Sequence, residues 1–337
     1  MPTKSARSPF LFRLARMSLS VMSVACGSSS TTPAPDAGVA VMEEEKEEPD
    51  AAVPEEPACP DASLAPGEYD FVIAYNGKRR SYLLTIPSTL PERAPLVLNF
   101  HGAGGTGTQH RFLTELDTLA ETKGFVVAYP EGLDTPGGRE GLSGSTQSFN
   151  GGSCCSGPMP DRDDVGFSRA VVADVQKRLC IDRTRVYAMG MSNGGFMAYR
   201  LACEAADLFA AAASAVGVLG LSEADCNPSR PIPFLHLHGT ADSFVPYEGN
   251  QDWPGARESV EVLARKDGCS KTPEVTLQQG AVTCETYSGC DAEVDVTLCT
   301  IEGMDHCWPG RSLCSGPSTT EISANQAMWE LFERSRL

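Results

Sequence analysis

The chain has 337 residues, 13 cysteines and a formal net charge of −17. So acidic a polypeptide argues against nucleic acid or an anionic membrane surface as its partner. No CxxC pair with matching histidines occurs, so the cysteines read as disulfides of an exported protein, and no metal or other cofactor is expected.

In chain order, Lys4, Arg7, Arg13 and Arg16 form a positive segment with no acidic residue before Cys26, and a short apolar run, Met17 to Ala25, follows. This is the layout of an export signal over residues 1–25, too short to remain as a membrane span. Ser23-Val-Ala-Cys26 is similar to a bacterial lipobox, with serine in place of the usual leucine. Cys26 is therefore expected to be lipidated, giving an outer-membrane or cell-surface lipoprotein. Ordinary cleavage nearby would instead release a secreted protein.

Residues 26–58 are rich in Ser, Thr, Pro and Ala and carry nine acids against one lysine. Such a segment buries too little apolar surface to offset its ordering entropy and reads as a disordered acidic tether. With the four leader cations and the tether's net −8 set aside, the remaining 279 residues, 59–337, carry −13. They suffice for one catalytic-size α/β domain.

Two alternating runs, Tyr69–Tyr75 and Ser81–Ile86, flank Asn76-Gly77, a hairpin signal. Pro95–Phe100 is an apolar strand entering His101-Gly-Ala-Gly-Gly105. Helical spacing covers Gln109–Lys123, with Gly124 as its cap, and Phe125–Tyr129 reads as a buried strand. Pro130 to Asp163 is long, irregular and Gly/Ser-rich, as functional loops often are. A helix over Asp163–Leu179 and a strand over Arg185–Met189 follow. Next come a helix to Cys203, a strand near Ala210–Ala215, a strand over Pro233–His238 and a helix over Ala256–Asp267. Strands around Val282–Tyr287 and Val294–Ile301 precede a final helix, Ser323–Arg334. This alternation predicts a mostly parallel central sheet with an antiparallel N-terminal edge and helices on both faces.

Gly190-Met-Ser192-Asn-Gly194 lies between a strand and a helix, where G-x-S-x-G exposes a serine hydroxyl at the end of a sheet. A nucleophilic serine needs a base. His306 is the histidine that follows a candidate acid, as the order Ser…Asp…His requires. Asp242, directly after the Phe234–His238 strand, is positioned to orient it. Asp225 lies in a loop and Asp305 adjoins the histidine, so both are poorer acids. His101 reads as structural, His236 and His238 as side chains on one strand face, and His110 as a helix-surface residue. The backbone N–H of Asn193 is expected to bind the developing oxyanion, with a second donor from the His101 loop. Ala103 is the choice there, with Gly102 and Gly104 as alternatives. Asp163 and Asp164 read as the N-terminal cap and dipole partner of the helix that follows. Phe149 and Trp308 are candidates for the substrate pocket, with simple packing the alternative for Trp308.

At these residues the sequence resembles the secreted polyhydroxybutyrate depolymerases and feruloyl esterases, which are α/β-hydrolases. The matching segments are His101-Gly-Ala-Gly-Gly105, Phe149-Asn-Gly-Gly-Ser-Cys-Cys155, Asp163-Asp-Val-Gly-Phe167, Val186 to Leu201, His238-Gly-Thr-Ala-Asp242 and His306-Cys-Trp-Pro-Gly310. Family members often carry Trp at the position of Phe149 and a small polar residue at that of Cys307. The resemblance implies a Ser192–His306–Asp242 triad and ester hydrolysis through an acyl-enzyme. Its substrates would be feruloyl or acetyl esters of plant polysaccharide fragments, or hydroxyalkanoate esters. Because the sequence ends just after its last helix, with no further binding domain, small or oligomeric esters are expected; the enzyme is expected to be a monomer. A peptidase on the same triad and a catalytically inactive surface binding protein are the competing readings.

An antiparallel hairpin of Val282–Tyr287 and Val294–Ile301 would place Cys284 opposite Cys299. That leaves Cys269 for Cys290, which fits a family-like pairing, and Cys307 with Cys314 would close the loop after His306. The partners of Cys59, Cys154, Cys155, Cys180, Cys203 and Cys226 are not assigned by sequence.

Overall fold

A computed structural model of the protein describes residues 58–60, 63–135, 145–155, 162–314 and 316–337. The expected leader, Cys26 and the tether to residue 57 lie outside the described residues.

The Asn-Gly turn joins β1 (Gly67–Tyr75) to β2 (Lys78–Ile86) in continuous antiparallel register. Asn76 and Gly77 adopt φ of 47° and 71°, the consecutive left-handed pair that a two-residue hairpin turn requires. After β3 (Ala94–Phe100), the expected single helix is two, α1 (Gly107–Thr114) and α2 (Leu116–Lys123). Tertiary donors split it. Arg311 Nε donates to the Leu113 carbonyl at 3.0 Å and Asn325 Nδ2 to the Thr114 carbonyl at 2.8 Å. Those acceptors would otherwise serve the next helical turn, and Glu115 between them swings to φ 48°.

The chain continues through β4 (Val126–Pro130), the short ladder of β5 (Leu133–Asp134) with β6 (Gln147–Ser148), α3 (Asp164–Gln176), β7 (Ile181–Met191) and α4 (Asn193–Glu204). It ends with β8 (Ala211–Ala215), β9 (Phe234–Gly239), α5 (Ala256–Lys266), β10 (Glu274–Gln279), β11 (Val282–Tyr287), β12 (Val296–Ile301) and α6 (Ala324–Arg334).

Ten strands form one sheet in the order β1-β2-β4-β3-β7-β8-β9-β12-β11-β10. The six central strands are mutually parallel and each flank is antiparallel: the expected N-terminal edge on one side, and on the other the expected β11–β12 hairpin extended by β10. The outermost strand of that edge, β10, was not expected; it is exposed at every residue, and its two apolar side chains, Val275 and Leu277, face solvent. Side chains of α3, α4 and α5 pack in the core on one face of the sheet, and those of α2 and α6 on the other. One-directional strands between two helical layers bring all their carboxyl ends to a single edge, where ligands bind in such sheets. The loops after β3, β7, β9 and β12 meet there.

All twelve described cysteines are paired. Cys284 faces Cys299 across β11 and β12 as the register predicted, and Cys269–Cys290 and Cys307–Cys314 also form. The remaining bridges are Cys59–Cys180, the vicinal Cys154–Cys155, and Cys203–Cys226. Six bridges belong in an oxidising, exported setting. No helix among the described residues is long and apolar enough to cross a membrane.

Candidate active site

Ser192 stands between the last residue of β7 and the first of α4, with φ 55° and ψ −122°. A non-glycine residue held there stores about 1–3 kcal/mol of strain. The surrounding contacts hold it: its N–H donates to the Ala215 carbonyl at 2.9 Å, and its own carbonyl receives the Phe196 N–H at 3.0 Å. The glycines on either side are required by close approach. A Cβ on Gly194 would fall 2.0 Å from the Phe100 carbonyl oxygen, and one on Gly190 2.4 Å from that of Gly194.

Asp242 follows β9 and is buried. Its Oδ1 receives the backbone N–H groups of Phe244 and Val245 at 2.9 and 2.8 Å, and its Oδ2 lies 2.8 Å from His306 Nδ1. Burial alone would raise this carboxyl, but hydrogen bonds from His238 and His306 outweigh it and hold the group well below the usual carboxylate range. Because a carboxylate only accepts, His306 Nδ1 carries the proton and Nε2 is left with a lone pair, the tautomer a general base needs. Among the described residues the ring's hydrogen bonds run to Asp242 alone. The contact between a serine hydroxyl and its base commonly tightens only with substrate bound.

Asp305, set aside as the acid, ties the two loops together. Its Oδ1 receives the Ser243 N–H, the Ser243 hydroxyl and the His306 N–H at 2.9, 2.9 and 2.8 Å. Sequence reasoning missed this role, since nothing in the motif pairs residue 243 with 305. It also missed Phe244, which is 65% exposed yet has its ring centroid 5.2 Å from that of His306. An exposed aromatic two residues past the acid was the available signal.

The His101 loop passes beside the serine, with Gly102 so near that a Cβ there would lie 3.3 Å from Ser192 Cβ. Gly104 donates its N–H to the Gln147 carbonyl at 2.7 Å, and Gly105 donates to Gly102 at 3.0 Å. Gly104 is therefore spent as an oxyanion donor, which leaves Ala103 and Gly102. The Asn193 side chain is also committed, with Oδ1 accepting the Phe149 N–H at 2.7 Å and Nδ2 donating to the Phe149 carbonyl at 2.9 Å.

Three expectations are corrected. Phe149 is wholly buried, edge-on to Phe100 and against His101, and so packs under the His101 loop instead of lining a pocket. Trp308 is 1% exposed, and its Nε1–H is donated to Asn325 Oδ1 at 3.0 Å, so packing accounts for it. His110 is buried under Trp308 and bonded to Asn99 Oδ1 at 2.8 Å, with burial pushing its pKa down to about 3. The other readings hold. His101 is buried and receives the Gly132 N–H on Nε2 at 3.0 Å, and Asp163 caps α3 through the Gly166 N–H at 2.7 Å. Asp164 goes further than a dipole partner, forming a buried ion pair with Arg80 at 2.6 Å.

Residues 80–229 match the family described as Esterase PHB depolymerase. A putative esterase, NocK, of Nocardia uniformis subsp. tsuyamanensis is 31% identical over 274 residues, covering 74% of this chain and 76% of that relative. The chain belongs to this esterase family. Feruloyl esterase B of Piromyces equi is 33% identical over 241 residues, 67% of this chain and 42% of that protein. A bifunctional acetylxylan esterase/xylanase of Neocallimastix patriciarum is 28% identical over 257 residues, 75% of this chain and 33% of that protein. The chain thus spans less than half the length of these two relatives. An acetyl xylan esterase from Aspergillus awamori shares the α/β-hydrolase fold, with a TM-score of 0.56 at 17% identity over 79% of this chain and 99% of that one.

A further buried carboxyl, Glu131, lies beside the His101 loop. Glu131 Oε1 receives the Gly107 N–H at 2.9 Å, while Oε2 is buried without a hydrogen bond, 3.8 Å from His101 Nε2. That nitrogen is occupied as an acceptor, and burial holds His101 down to about 4, so the contact is no ion pair near neutral pH. Burial pushes Glu131 up to about 7, against the opposing Gly107 hydrogen bond. A carboxyl with a raised pKa binds its proton more readily in the native state. Its stabilisation is therefore fully present below the ordinary value near 4.5 and is lost as pH rises to about 7. Glu131→Gln is expected to remove this loss, gaining about 1–3 kcal/mol on wild type between pH 5 and 8 in urea unfolding. Asp267, also raised to about 7 by burial, contributes its slope equally to both proteins. Parallel pH profiles for the two would show that Glu131 is not the titrating group.

Proposed function

We propose that this chain hydrolyses carboxylic esters through an acyl-enzyme on Ser192. The observation that carries the reading is the 2.8 Å Asp242–His306 hydrogen bond, formed on the sheet edge where the strained Ser192 stands. His306 Nε2 takes the hydroxyl proton as Ser192 Oγ attacks the ester carbonyl. The resulting oxyanion is met by the Asn193 N–H and by Ala103 or Gly102. Collapse breaks the carbon–oxygen bond to the alcohol, which leaves with the proton from His306. Water, activated by the same imidazole, then releases the acid and restores the serine.

As substrates we propose small or oligomeric esters, with feruloyl and acetyl esters of plant polysaccharide fragments ahead of hydroxyalkanoate esters. The feruloyl and acetylxylan esterases among the relatives support this order, as does the exposed Phe244 ring beside the base. A flat aromatic acyl group can stack there, worth about 0.5–1.5 kcal/mol beyond area burial. We also propose that Cys26 anchors the exported protein through a lipid.

Ser192→Ala should reduce kcat on a chromogenic acetyl ester by at least about a thousandfold while leaving the thermal unfolding transition cooperative. Retention of more than about a hundredth of wild-type kcat would remove Ser192 from the mechanism. Phe244→Ala should lower kcat/KM for methyl ferulate by about threefold to tenfold while changing that for the acetyl ester less. Equal losses on the two esters would discard Phe244 as an aromatic subsite. Cys26→Ser should move the protein from the membrane to the soluble fraction on cell fractionation, and a variant that stays with the membrane would exclude the anchor.

A further inference from the structure

A chain of buried hydrogen bonds runs from α4 across β9 to the Val245 carbonyl, beside Asp242. Tyr199 Oη lies 2.5 Å from His236 Nδ1, and His236 Nε2 lies 2.8 Å from His238 Nδ1. His238 Nε2 lies 2.9 Å from the Val245 carbonyl oxygen and 3.3 Å from Asp242 Oδ2. All three side chains are fully buried. The titratable groups facing the two imidazoles are each other, Tyr199, Asp242 and Tyr247, whose ring stands edge-on to His238.

The direction of this chain follows from its far end. The Val245 carbonyl and the Asp242 carboxylate can only accept, so His238 Nε2 carries a proton. With one proton per imidazole, His238 Nδ1 then accepts, His236 Nε2–H donates to it, and His236 Nδ1 accepts the Tyr199 hydroxyl proton. Burial supports both assignments, keeping the Tyr199 phenol protonated and holding His236 well below its ordinary value. Every donor points toward Asp242, and donors aligned in series strengthen one another.

We propose that Tyr199, His236 and His238 are positioning residues of the Ser192–His306–Asp242 site, delivering one fixed N–H that holds the acid and its loop in register with the base. The need is specific. Asp242 Oδ1 is held by two backbone amides, whereas beside Oδ2, the oxygen nearer His306, stands His238 Nε2 at 3.3 Å. The same Nε2–H binds Val245, three residues on, so one group fixes both the tilt of the carboxylate and the turn that bears it. None of the three residues touches the reacting atoms.

This inference rests on the catalytic reading above, and Ser192→Ala tests that reading separately. His238→Leu and His238→Gln differ little in size, but only Gln offers an N–H at that reach. In the full chain, with a chromogenic acetyl ester, His238→Leu should lower kcat about tenfold to a hundredfold with KM little changed, and His238→Gln should recover a large part of it. The far-downfield proton resonance of the His306–Asp242 hydrogen bond should broaden or vanish in the Leu variant and persist in the Gln variant. If His238→Leu does not fold, Tyr199→Phe, which removes one buried oxygen, carries the test, with an expected kcat loss of about twofold to fivefold. An inactive Ser192→Ala alongside a Leu variant equal to or faster than the Gln variant overturns the positioning role and spares the triad. So does a Tyr199→Phe enzyme with wild-type kcat and resonance.

Discussion

The site depends on one close approach between backbones. The first turn of α4 is pressed onto the end of β3 so tightly that Gly194 has no room for a methyl group against the Phe100 carbonyl. This contact forces the sharp passage from β7 into α4 and holds Ser192 in a conformation it would not adopt unaided. It also brings Gly102, two residues beyond Phe100, beside Ser192, so the serine and the His101 loop are set by a single packing event. In the proposed reaction the free N–H groups of the new helix would face the developing negative charge.

Each remaining part is fastened to this centre by polar contacts between loops. Asn193 clamps Phe149 through both atoms of its amide, fixing that residue to the first turn of α4. Asp305 bridges the loop of the acid to that of the base, and Cys307–Cys314 closes the chain just beyond. Loop-borne chemical groups are thus held nearly as firmly as strand residues, because their buried polar atoms find partners in one another.

Much of this was legible in the sequence. Ser192 directly follows β7, and Asp242 and His306 lie in the loops after β9 and β12, all strands of strong apolar signal, so pattern and motif agree there. The hairpin register paired Cys284 with Cys299 because strand periodicity is strict. What escaped notice depends on tertiary contact. His110 sits at a position that helical spacing alone leaves on the surface, yet Trp308, nearly two hundred residues away, covers it. Phe149 and Trp308 looked available because aromatic residues beside a motif suggest a pocket, and only packing shows that they are enclosed. The break at Glu115 is caused by Arg311 and Asn325, and no local propensity encodes it. Strand β10 alternates at only two apolar positions, Val275 and Leu277, too short a pattern to mark a strand.

The Cys59–Cys180 bridge spans 121 residues and ties the segment before β1 to the start of β7, enclosing the first hairpin, β3, the oxyanion loop and α3. Closing so long a loop removes much conformational freedom from the unfolded chain. It also changes what proteolysis can do. A single peptide cut anywhere between residues 59 and 180 leaves the two pieces covalently joined, with the sheet still able to hold them in place. A nick in that half therefore need not separate the His101 loop from Ser192, beside which it passes.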